Sequence, residues 1–383
     1  MRLYAASLAA AFALALIAPA APASAQGEDR DWDDCQADPA AVPPARILAA
    51  CETLLRLDGL APDQLATPYF YRGRVYLAQQ NWRGAIADYD RVLQLIPQEA
   101  NAWYNRGTAH QALGDHARAF ADYSRAIRLS PDEAGYHLAR GAVRYAQQDR
   151  AGAVADFDRA LALDSGLADA WYWRGEMRSL EERWADARDD LDQAIHLNPE
   201  HAAAYGERGH ARHQLGDLDG ALEDYDRAIR LDPDDADALY NRGSLRLDRA
   251  EHAAAIADLG RAIELNPQDK DALNDRAAAY VEARDPARAL PDLERALRID
   301  PDFATAIHNR ALIGLMAGRT EEAWREFDRA LGLDPANGAY PRYGRGIAAI
   351  RLGRAEEGRA DIARAVAEDD TVEREFAELG IRP

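Results

Sequence analysis

Proline returns every 34 residues in this chain. Pro97, Pro131, Pro199, Pro233, Pro267, Pro301 and Pro335 share one register, and Ser165 holds the remaining place. A fixed period of this length marks a stacked array: no unit buries its apolar face alone, and each neighbour completes the core of the one before. If each unit starts 31 residues before the proline, copies begin at 66, 100, 134, 168, 202, 236, 270 and 304. A ninth, weaker copy begins at 338 with one extra residue near its start, so Arg345 and Gly346 fall one place late.

Each unit reads as two amphipathic helices around a turn. In the second copy, Ala102–Leu113 is one expected helix, Gly114 and Asp115 the break, and His116–Leu129 the other. Pro131 stops it, because proline lacks the donor that continues a helix. Position 8 is Gly73, Gly107, Gly141, Gly175, Gly209 and Gly243, then Ala277 and Ala311. Position 20 is alanine in all eight copies, from Ala85 to Ala323, and position 24 is always large and apolar, from Tyr89 to Phe327. Small residues facing large ones at helical spacing predict close-packed hairpins. A bulky residue at Gly175 is then expected to cost roughly 1–3 kcal/mol by overpacking.

The repeat length, the small residues at 8, 20 and 27, the large residue at 24 and the proline at 32 resemble the tetratricopeptide repeat family over about 66–371. The resemblance implies an all-α fold, a right-handed superhelical α-solenoid of helix-turn-helix repeats. It also implies binding of partner peptides along a concave face lined by positions 2, 5, 6, 9, 12, 13, 33 and 34. On this sequence that face includes Phe70, Tyr104, Asn105, Tyr172, Trp173, Tyr240, Asn241 and Asn309. The basic residues with which chaperone-binding members clamp a C-terminal carboxylate are absent from positions 2 and 5, so that ligand does not carry over. A neutral-to-acidic groove with aromatic pockets favours apolar or basic partner segments. Some of the tyrosines have an alternative role, packing between repeats.

One departure from the family is systematic. Position 7, usually aliphatic, is arginine eight times, and position 23 is acidic eight times. In an antiparallel hairpin, facing indices sum to a constant, which puts 7 and 23 at nearly the level of 8 and 20. An arginine–carboxylate ladder is expected, with Arg106–Asp122, Arg174–Asp190 and Arg242–Asp258 among its rungs. A pattern copied into every unit is structural rather than catalytic.

The ends differ from the middle. Residues 1–25 follow the grammar of a secretory signal: Arg2, an uncharged run from Leu3 to Ile17, then Ala23-Ser24-Ala25 before the cleavage point. The run is shorter than the roughly 20 residues of a spanning helix. The expected mature protein starts at Gln26, in the periplasm or outside the cell, with no membrane span. Segment 26–65 is expected to cap the array. Ala45–Leu55 aligns with Arg83–Leu93, which places Cys35 and Cys51 in one hairpin core. An oxidising compartment and no other thiol favour their disulfide over two buried free thiols. At the other end, 372–383 reads as a cap helix over Val372–Leu379 and a tail.

Acidic residues outnumber basic ones 66 to 46, giving a formal charge of -20, which argues against nucleic-acid partners. Lys270 is the only lysine. No phosphate loop, nucleophile elbow or zinc-protease motif occurs, so no enzyme, cofactor or metal is expected. His201, His210 and His213 fall at groove positions of adjoining repeats, where the spacing favours exposed or hydrogen-bonded imidazoles over a metal site or a pH-sensitive contact. The expected function is a scaffold for protein partners in the envelope or exterior. The alternatives are a self-assembling structural array and a chaperone-like envelope-assembly factor.

Overall fold

The computed structural model describes residues 26–383, so the expected signal segment lies outside the described residues. The chain divides into two compact units, the first ending at Pro199 and the second starting at Glu200. Among the described residues there are 21 helices and no strand.

The first unit holds α1 (Gln26–Cys35), α2 (Pro44–Leu54) and four hairpins. These are α3 (Pro62–Ala78) with α4 (Trp82–Leu95), α5 (Ala100–Ala112) with α6 (His116–Leu129), α7 (Ala134–Ala146) with α8 (Arg150–Leu163), and α9 (Ala168–Leu180) with α10 (Trp184–Leu197). The second unit holds α11 (Ala202–Gln214) with α12 (Leu218–Leu231), α13 (Ala236–Asp248) with α14 (His252–Leu265), and α15 (Lys270–Glu282) with α16 (Pro286–Ile299). It continues with α17 (Ala304–Met316) and α18 (Thr320–Leu333), α19 (Ala339–Arg351) and α20 (Ala355–Glu368), and ends in α21 (Val372–Glu378). α5 begins two residues before its expected start, because the Glu99 carboxylate accepts the Asn101 N–H and caps the helix there.

The turn inside each hairpin is built from two adjacent positions. The first adopts a left-handed backbone, at Gly114, Gly216 and Gly318 but also at Gln80, Gln148, Glu182, Ala250 and Arg284. In four hairpins the second caps the next helix: Asn81, Asp115, Asp149 and Asp217 each accept the N–H three residues on. Packing then follows the small-against-large pattern. Ala85, Ala119, Ala153 and their repeats are fully buried, as are Tyr89, Tyr123, Phe157, Leu191, Tyr225, Leu259, Leu293 and Phe327.

In each unit, the first helices of successive hairpins touch one another (α3 with α5, α5 with α7, α13 with α15), whereas the second helices do not. Each unit therefore bends with its first helices on the inside. A disulfide joins Cys35 to Cys51 with Cα atoms 4.9 Å apart, both fully buried in a cluster that includes Ile47, Leu54 and Val75 of α3. At the far end, Phe376 of α21 packs on Tyr343 of α19 with ring centroids 4.9 Å apart.

Candidate functional site

The inner face is decided by how the arginines are used. From Arg72 to Arg276, each position-7 arginine grips the position-23 carboxylate of its own hairpin with two parallel N–H···O bonds, whereas Arg310 meets Glu326 through one nitrogen at 2.5 Å. Arg106 donates to Asp122 at 2.9 and 2.7 Å, Arg174 to Asp190 at 2.8 and 2.8 Å, and Arg242 to Asp258 at 2.8 and 2.6 Å. This fork geometry is the strong form of a charged hydrogen bond. The same arginines reach back one repeat: Arg106 to Asp90 at 2.6 Å, Arg174 to Asp158 at 2.8 Å, Arg242 to Asp226 at 2.6 Å. A second arginine, one helical turn on, binds the same carboxylate, as Arg178 does Asp190 at 2.8 Å and Arg246 does Asp258 at 2.7 Å. Burial works against charge on Arg106 and Arg242, but their carboxylate partners more than offset it and hold both guanidiniums charged. Neither the reach to position 25 nor the doubled arginine at position 11 was read from the sequence. Their signal was present, in the recurrence of Asp90, Asp158 and Asp226 at position 25 and of Arg144, Arg178, Arg212 and Arg246 at position 11.

With the cations so engaged, what the first helices present is aromatic and acidic. Phe70 on α3 stands edge-on to Tyr71 and Tyr89, at 5.6 and 5.8 Å. Tyr104 on α5 is half-buried, stacked on Tyr136 at 5.0 Å and tilted against Tyr123 at 5.5 Å. On α9, Tyr172 and Trp173 meet at 5.1 Å, and Trp173 also meets Tyr145 of α7 at 5.2 Å. The Tyr145 hydroxyl donates to Glu176, whose carboxyl is pushed up by burial. Tyr240 and Asn241 are half-buried on α13, and Asn309 on α17 donates to Asn274 at 2.9 Å. Asn105 is only 8% exposed, so it has little surface to offer a partner.

Sequence reasoning passed over Asp275. Burial lifts its carboxyl to about 6, against hydrogen bonds from Asn274, Ser244 and Tyr240. The three histidines have separate surroundings. His201 Nδ1 accepts the Ala204 N–H as a helix cap, His210 lies 3.3 Å from the Gln214 amide, and His213 is 4.0 Å from Asp248. Among the described residues, no group of three or more His, Cys, Asp or Glu side chains is arranged to hold a metal ion.

Comparison with known proteins bears on this fold. Family models described as "Tetratricopeptide repeat" match residues 72–144, 240–302 and 274–338, and one described as "TPR repeat" matches 209–249. The chain is similar to a structure of the APC/C hetero-tetramer Cut9–Hcn1, with 15% identity and a TM-score of 0.53 over 88% of this chain and 62% of that one. It is also similar to PilF of Pseudomonas aeruginosa, with 19% identity and a TM-score of 0.50 over 54% of this chain and 94% of that one. At these identities the likeness concerns the fold alone. No curated protein matches. The 34-residue period, the stacked hairpins and the family matches together place this chain in the tetratricopeptide repeat family.

Proposed function

We propose that the protein is an exported scaffold that binds a segment of a partner polypeptide along the inner face of its first helices. The observations that carry this are, in the first unit, the half-buried rings of Tyr104, Tyr172 and Trp173 with the Glu176 carboxylate beside them, and, in the second unit taken by itself, half-buried Tyr240 with Asp275 beside it. Aromatic rings offer contact area with a polar handle at low entropic cost, and the carboxylates select apolar or basic segments over acidic ones. Catalysis has no part in this reading. The Cys35–Cys51 disulfide and the signal grammar of residues 1–25 support residence in the periplasm or outside the cell. Segments 26–65 and 372–383 serve as end caps in this scheme.

The test is crosslinking capture from the envelope fraction, with wild type set against Tyr172→Ala/Tyr240→Ala. Loss of the captured partners, with the melting temperature of the variant kept, supports recognition by this face. Unchanged capture assigns binding to another surface. Amino-terminal sequencing of the fractionated protein reads the export claim, and an intact Met1 in the cytoplasm refutes it.

A further inference from the structure

We infer that residues 372–383 are a removable strap: they lie on the inner face of the second unit and hold the place of an amphipathic partner segment, which docks there once the strap lifts. The inference rests on the partner-binding reading above and adds a docking surface with its own occupant. α21 is seven residues long, too short to persist as a helix by itself. Its order comes from what it touches.

The sequence gathers the apolar side of the strap at its end. Gly380 takes a left-handed backbone, with a φ of 77°. The Gly380 N–H then donates to the Ala377 carbonyl and the Ile381 N–H to the Phe376 carbonyl, both at 2.9 Å. This way of ending a helix turns residue 381 back toward residue 376. Val372, Phe376 and Ile381 are at most 3% exposed and join the cluster that holds Tyr343 and Ile347 of α19. With the extra residue of the ninth copy allowed for, Tyr343, Ile347 and Arg351 hold positions 5, 9 and 13, three of the inner-face positions. Tyr104, Tyr172 and Tyr240 at position 5 stay half-buried, whereas Tyr343 is 1% exposed with Phe376 against it.

The strap does more than continue the array. Arg351 donates through one nitrogen to the Leu315 carbonyl of α17 at 3.3 Å and through the other to the Arg382 carbonyl at 3.1 Å. Arg284, in the turn between α15 and α16, donates to the Glu378 carbonyl 94 residues away. Neighbouring copies meet over about one period, as Asn309 and Asn274 do at a separation of 35. The strap therefore reaches back over three copies.

Two features make it replaceable. The arginines grip its backbone carbonyls, and every helical segment offers such carbonyls at its end. The apolar seat asks only for an aromatic residue and an aliphatic one five places on. Like charge also works against the strap. The Glu282 carboxyl of α15, which faces His252 at 3.4 Å, is pushed up by burial and further by Glu375, itself held by the Tyr340 hydroxyl at 2.8 Å.

The probe is a fluorescein-labelled peptide of residues 370–383, followed by anisotropy as the full-length chain is added. In Phe376→Asp/Ile381→Asp the chain's own strap is unseated, and saturable binding is expected. Wild type binds at least about tenfold more weakly, because its tethered strap competes at high effective concentration. A peptide carrying Phe376→Ala binds the double variant about tenfold more weakly than the parent peptide. The inference is overturned if the double variant, with its helix content kept by circular dichroism, does not bind the peptide, or if wild type binds it equally well. Hydrogen exchange of the wild type decides the matter without any variant. The Leu379, Gly380 and Ile381 amides are expected to exchange at least about tenfold faster than the interior amides of α19, and exchange only in step with α19 overturns the inference. Such a failure leaves the wider partner-binding reading intact, because that is decided by capture through Tyr172 and Tyr240, which lie outside α19 and α21.

Discussion

Removing one member of an ion-pair rung exposes how the charges are arranged. The Asp190 side chain is 3% exposed and accepts two bonds from Arg174 and one from Arg178, all at 2.8 Å. Arg174→Leu leaves that buried carboxylate with Arg178 alone, and a half-compensated buried charge is expensive: about 3 kcal/mol is expected, at the low end for a broken buried pair. Asp190→Leu is milder, about 1–2 kcal/mol. Arg174 keeps Asp158, and both arginines, 15% and 23% exposed, are long enough to turn their heads to water. In the double variant no carboxylate is stranded, so it should be more stable than Arg174→Leu alone, with a coupling of at least about 1 kcal/mol. Repeat arrays need not unfold in one step, so urea titration is best paired with hydrogen exchange resolved to α9 and α10. A double variant no better tolerated than its worse parent would refute the pairing argument.

Two further outcomes follow from the packing and the titrating groups. At Gly141 an added Cβ lies 2.6 Å from the rigid Phe157 ring, against 2.9 Å from the more yielding Leu191 at Gly175. Gly141→Ala is expected to lose about 1–2 kcal/mol net of its helix-propensity gain, more than Gly175→Ala, and adding Phe157→Leu should recover most of it by recreating the Ala277–Leu293 pairing; equal urea midpoints for both alanine variants would contradict this. Asp275 holds its proton up to about 6 when folded and releases it near 4 when unfolded, so the folded state binds more protons between those values and stability falls as pH rises through them. Asp275→Asn should remove that slope and be about 1–2 kcal/mol more stable than wild type at pH 7.5 but not at pH 4; an unchanged pH profile of the urea midpoint would rule this out.

The period, the helical hairpins and the facing of small and large residues were legible in the sequence because they are properties of one repeat. A glycine 16 residues before a tyrosine meets it through helix geometry alone, as Gly107 does Tyr123. The rung between positions 7 and 23 is local in the same sense, and the disulfide hairpin follows from aligning the first segment on the repeat. Tertiary structure decided whatever depends on the next repeat. It sank Asn105 into the stack although the family pattern places it in the groove, turned Tyr104 onto Tyr136, and sent Arg106 back to Asp90. Such contacts hinge on the rise and rotation from one hairpin to its neighbour, which the summed packing of many side chains fixes and no single repeat encodes.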